Sequence, residues 1–165
     1  MNDPDIKQMY DSRLDTIEHI RKVRTLLIRL GGMLLERADN HDRAKLQPPE
    51  KEIYDEYTPK LADTEYGSDE YNQYLEEMDR ALKHHYETYR HHPEHFEEGV
   101  HEMHLLDLLE MMVDWTAATE RHDDGGDIYD SIEHNAERFE YGDELQVILE
   151  NTADLLDDIR SDETG

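Results

Sequence analysis

The sequence predicts an all-α protein, a compact single-domain bundle of about six or seven helices. Apolar residues recur at three- and four-residue spacing along most of the chain, caps and breakers punctuate that spacing, and no stretch alternates as a strand would. The length of 165 residues suits one domain, which buries roughly two thirds of the surface its unfolded chain exposes and needs no disulfide. Leu, Ile, Val and Phe total 33 residues beside a net charge of −26, the composition at which disorder begins. Ten Tyr, seven Met and Trp115 add apolar area, and the helical periodicity decides for folding.

From the N-terminus, residues 1–11 read as a flexible lead and 12–160 as the domain, with a frayed tail at 161–165. Ser12-x-x-Asp15 is a capping box, and Leu14, Ile17, Ile20, Val23, Leu27, Leu30 and Leu34 form the stripe of a helix over 12–38, weakened at Gly31-Gly32. Asn40 caps a short helix carrying His41, Asp42 and Lys45. Pro48-Pro49 then separates it from a helix over 50–57 that Thr58-Pro59 should end. Ser68 caps a helix whose inward stripe is Tyr71, Tyr74, Leu75, Met78, Leu82, His85 and Tyr89, stopped after His92 by Pro93. A central helix follows from Val100 to Arg121, ended by Asp123-Asp124-Gly125-Gly126. The last two helices, 128–139 and 143–159, meet at the turn Tyr141-Gly142.

Chemistry concentrates in the histidines. There are eleven, seven of them between His84 and His104, and neutral imidazoles grouped with carboxylates suit a divalent transition metal. His85 lies at the centre of its apolar stripe and His92 falls on the same side two turns on, whereas His84 and His91 project roughly opposite. Geometry therefore favours His85 and His92 as ligands, although the pairs His84/His85 and His91/His92 stay open. His122 and His134 read as surface residues. On the central helix His104, Asp107 and Asp114 share one narrow stripe of an otherwise apolar circumference, and an inward carboxylate needs a metal, a proton or a cation such as Arg24, Arg90 or Arg121. His41-Asp42-x-x-Lys45 sets imidazole beside carboxylate with an ammonium one turn on, suited to a metal and a phosphate together.

The succession His19, then His41-Asp42, then Asp107 resembles the HD phosphohydrolase superfamily, an all-helical fold whose His…His-Asp…Asp set binds a divalent metal. The resemblance implies His19, His41, Asp42 and Asp107 as ligands of one ion and His85 and His92 as ligands of a second, although residues 48–68 lengthen the spacing before His85. It further implies Lys45 on phosphate, Arg90 as a second substrate contact, and Asp114 or Glu110 orienting a water or a ligand. The runs Thr16 to Ile20, Asn40 to Leu46, Arg90 to His95, Leu106 to Met111 and Asp114-Trp115 resemble an uncharacterised family common in tailed phages, over about 16–156.

The function expected is a metal-dependent phosphohydrolase for a nucleotide or small phosphate ester, using one or two ions of Mn, Fe, Ni or Zn, in viral nucleotide-pool control or counter-defence. One alternative is an acidic interaction protein or DNA mimic. Another is an all-helical nucleoside triphosphate pyrophosphatase: Glu94-x-x-Glu97 fits half of that motif, but Asp107-x-x-Glu110 reverses the other half.

Forty-three acids against seventeen bases exclude nucleic-acid backbones and anionic membranes as partners, because both are repelled. With no cysteine and no signal-like N-terminus, the expectation is a cytoplasmic protein, in host cytoplasm if viral. Eleven Arg against six Lys under so acidic a surface point to a halophilic archaeon or its virus, since at molar salt the Debye length shrinks to about 3 Å and self-repulsion is screened. The melting temperature should therefore rise from dilute buffer to molar KCl; equal values would remove the halophilic reading.

Overall fold

The structure, a computed structural model, describes residues 10–65, 67–119 and 127–163. Seven α-helices and three short 3-10 turns make up its regular structure, with no strand among the described residues. The chain divides into two compact units, Met1–Asp39 and Asn40–Gly165. Acidic and basic residues balance in the first, so the whole −26 resides in the second.

The regular structure of the first unit is helix α1 (Arg13–Asn40), whose last residue is the first of the second unit. Asp15 in its first turn and Arg37 in its last complement the helix dipole, and Gly31 and Gly32 pass through without a break. It buries none of its residues within its own unit. Asn40, the anticipated cap of a following helix, is its last residue.

In the second unit a 3-10 turn (Arg43–Leu46) leads to α2 (Glu50–Ala62). The break anticipated at Thr58-Pro59 does not occur, and α2 carries Pro59 inside it. Packing against α3 (Asp69–Glu77) and α4 (Asp79–Thr88) overrides the local preference. Ser68 caps α3 as anticipated, its hydroxyl accepting from Tyr71 N at 3.1 Å. The single helix anticipated to His92 is instead α3 and α4 divided at Met78, and it stops four residues early, because Tyr89 is already extended.

After 3-10 turns at Pro93–His95 and Gly99–Glu102 comes α5 (Leu105–Thr119), which starts later than its apolar run suggests. A reciprocal cap fixes that start: His104 N donates to Asp107 Oδ2 (3.1 Å) and Asp107 N to His104 Nδ1 (3.2 Å). Arg121, His122 and the loop through Gly126 lie outside the described residues. Asp127 caps α6 (Ile128–Phe139), Glu140 turns the chain in the left-handed region at φ 55°, and α7 (Asp143–Glu163) runs on through most of the anticipated tail.

The apolar core joins α5, α6 and α7: Met111, Met112, Ile128, Ile132, Leu149 and Ala153 are buried, with Trp115 stacked on Phe139. Tyr141 closes it, its hydroxyl donating to Ile132 O at 2.6 Å inside the core. Met111 and Met112 face this core, whereas on the same helix Asp114 meets His41 and Glu110 meets His41 and His91. Ile132 has no exposed surface, so Ile132→Ala should cost about 2–5 kcal/mol in urea unfolding; a loss under about 1 kcal/mol would place it outside a packed core.

Candidate metal centre

The centre begins with the backbone of Asp42, which is left-handed at φ 54°, a conformation uncommon outside glycine and tolerated best by Asn and Asp. The turn is held from below, where Ala44 N donates to the Tyr89 hydroxyl at 2.6 Å. Its carboxylate faces two ways. Oδ1 lies 3.2 Å from His85 Nε2 and 3.6 Å from His91 Nε2, while Oδ2 lies 3.7 Å from His41 Nε2 and accepts from Lys45 Nζ at 2.6 Å.

Three imidazoles from the end of α4 and the extended segment after it meet Asp42. His85 and His91 are each 1% exposed, and the Nε2 atoms of His85 and His92 stand 2.9 Å apart. Both nitrogens of His91, and Asp42 Oδ1, are buried without a hydrogen-bond partner. A buried polar group left in this way costs about 1–3 kcal/mol. From α5, Glu110 Oε1 comes to 3.0 Å from His41 Nδ1 and 3.2 Å from His91 Nδ1, and Asp114 Oδ1 to 3.4 Å from His41 Nε2.

These contacts shift the titrations. Hydrogen bonds that His41 donates to Asp114 and Glu110, with the charge of Asp42, raise it to about 10 against the opposing effect of burial. Burial alone would raise Asp42, but His85 and the Lys45 ammonium outweigh it and hold the carboxyl well below the usual range. Burial, aided by the neighbouring imidazoles of His91 and His85, lowers His92 to about 3 and keeps its imidazole neutral. Asp114 is lowered as well, its burial outweighed chiefly by the His41 hydrogen bond.

Three overlapping sets result, Asp42/His85/His91/His92, His41/His91/Glu110 and His41/Asp42/Asp114, each with its ligand atoms within 4.8 Å of one another. Neutral imidazoles with carboxylates suit Mn, Fe, Co, Ni or Zn better than Mg.

Of the residues anticipated from sequence, His41, Asp42, His85, His92, Glu110, Asp114 and Lys45 are brought together. Asp107 is not. Its fully buried carboxylate takes the Arg90 guanidinium (3.1 and 3.3 Å) and the start of α5, so Arg90, anticipated on substrate, is engaged in an ion pair. His19 is exposed on α1, in the other unit, and belongs to none of the three sets. His134 is exposed as anticipated, and His95 is occupied, its Nδ1 donating to Tyr86 O at 2.8 Å.

His91 was anticipated to point away because the helical projection was carried past its end. Pro93 already signals extended backbone at His92, where φ is −96° and ψ 126°. Glu50 was not anticipated at all. It is completely buried against His84 and His85, and nothing around a glutamate after Pro48-Pro49 signals that.

The described residues therefore form an all-helical protein with a partly buried group of imidazoles and carboxylates close enough to bind a metal ion. It belongs to DUF5662, a family of unknown function, whose profile matches residues 8–162. No match was found among curated proteins or among solved structures.

Asp107→Asn should lower stability by about 1–2 kcal/mol, since the buried side chain loses its charge-assisted bonds to the half-exposed Arg90 guanidinium, and should leave Co2+ stoichiometry unchanged. Loss of Co2+ binding in a folded variant would place Asp107 in the centre.

Proposed function

We propose that this protein is a metal-dependent phosphohydrolase acting on a nucleotide or another small phosphate ester. The observation that carries the metal is His91, fully buried with both nitrogens unpartnered and facing Asp42 and Glu110. The ligand sets overlap pairwise, at His91, at Asp42 and at His41, which suits one ion or two. A divalent ion held there would lower the pKa of a bound water and neutralise phosphate charge.

The chain's own residues supply the rest. Lys45 stands at the rim, a third exposed, with its ammonium on Asp42; once Asp42 is committed to a metal, that ammonium is free for phosphate. Glu110 and Asp114, one turn apart on α5, would orient a water. The likeness to HD phosphohydrolases supports this reading at His41-Asp42. On α5 the carboxylates near that pair are Glu110 and Asp114, in place of Asp107.

An acidic mimic or interaction protein fits the charge but gives no reason for three imidazoles, two of them buried, converging on one carboxylate. We read the acidity as adaptation to a salt-rich cytoplasm, that of a halophilic archaeon or of the host of its virus. Nucleotide-pool control or counter-defence is the corresponding role.

Phosphate release from a panel of mono-, di-, tri- and cyclic nucleotides with Mn2+ tests the function. His41→Ala and Asp42→Ala should abolish turnover, and Lys45→Ala should reduce it roughly 10–100-fold while the protein still binds metal. No release from any nucleotide by metal-loaded wild type would reject nucleotide hydrolysis.

A further inference from the structure

We propose that Glu50 is the positioning residue of the metal centre: its carboxylate accepts the Nδ1 protons of His84 and His85 together, which fixes His85 as the Nδ1–H tautomer and aims its Nε2 lone pair at Asp42 and His92. This role rests on the metal centre proposed above and not on the hydrolysis.

Glu50 is the first residue of α2, where the helix dipole favours negative charge, and its side chain has no exposed surface. Burying a carboxylate is costly unless its oxygens are paired. Here Oε1 lies 2.7 Å from His84 Nδ1 and Oε2 lies 3.0 Å from His85 Nδ1. A carboxylate only accepts, so both imidazoles carry a proton on the nitrogen that faces it. A metal-binding imidazole gives up the proton on its ligating nitrogen, and with Nδ1–H held on Glu50 that nitrogen is Nε2, 3.2 Å from Asp42 Oδ1 and 2.9 Å from His92 Nε2. The ring is also held in place by Tyr54, edge-on at 6.4 Å on α2, and by Tyr89 at 4.8 Å.

Two neighbouring histidines thus end on one carboxylate, yet only His85 reaches the centre. His84 remains partly exposed and belongs to none of the ligand sets. A purely structural Glu50 would affect folding alone. A positioning Glu50 also sets metal affinity, as carboxylates on the far nitrogen of metal-binding histidines generally do.

The test uses the full, tag-free chain and Zn2+ in competition with a chromophoric chelator. Glu50→Gln keeps the side chain's size but offers one acceptor and one donor, so it cannot accept from both imidazoles. Its Zn2+ dissociation constant should rise roughly 10–100-fold, whereas His84→Ala, which leaves the His85 bond intact, should stay within about threefold of wild type. Glu50→Gln within that threefold range overturns the role. If the variant fails to fold, the imidazole 15N shifts of wild-type His85 decide: a protonated Nδ1 with a lone pair on Nε2 supports the role, and a protonated Nε2 with a lone pair on Nδ1 overturns it. A wild-type chain that binds no Zn2+ overturns the metal centre itself, and the tautomer still reports whether Glu50 sets His85.

Discussion

The carboxylate of Asp42 is the point on which the second unit's polar interior converges, and it is there because of an unfavourable backbone conformation. At φ 54° the residue leaves the end of α1 in the left-handed region and turns its side chain inward instead of continuing the helix. One oxygen meets His85 and His91, the other His41 and Lys45. The strain persists because the surroundings fix it at both ends: the Tyr89 hydroxyl holds the backbone of the turn and the Lys45 ammonium holds Oδ2.

Around that point the protein separates two kinds of interior. The α5–α6–α7 side is an apolar core of Met, Ile, Leu and Trp, which accounts for the folding of this part of the chain. The α2–α4 side is polar, with Glu50, His85 and His91 buried. The α5 helix serves both: Met111 and Met112 face the core, and Glu110 and Asp114 face the imidazoles. An apolar packing of the same volume would be the cheaper way to fill the polar side, and a bound cation is the simplest physical reason for its composition. Among the described residues no helix is long and apolar enough to cross a membrane.

Much of this was legible in the sequence, because helix stripes and caps are local. The all-helical class, the Ser68 cap, the span of α6 and the inward position of His85 follow from periodicity and capping chemistry. The pairing of His41 with Asp42 is visible as adjacent letters. Less was legible where tertiary contacts decide. Asp107 is inward, as its stripe implies, but whether a metal or an arginine meets it depends on Arg90 arriving from another segment. Pro59 lies inside a helix because α3 and α4 support α2. His91 was misplaced by projecting a helix beyond Thr88, and Glu50 was invisible because its partners lie more than thirty residues away.

The imidazoles and carboxylates around Asp42 lie close enough together to bind a metal ion, and their chemistry suits a transition metal. Elemental analysis of the tag-free protein, grown with trace metals supplied and measured per chain, tests most directly whether they hold one. The account predicts one or two equivalents of Mn, Fe, Co, Ni or Zn in wild type and a large loss in folded His91→Ala. Wild-type protein that carries no transition metal and takes none up on dialysis would contradict it.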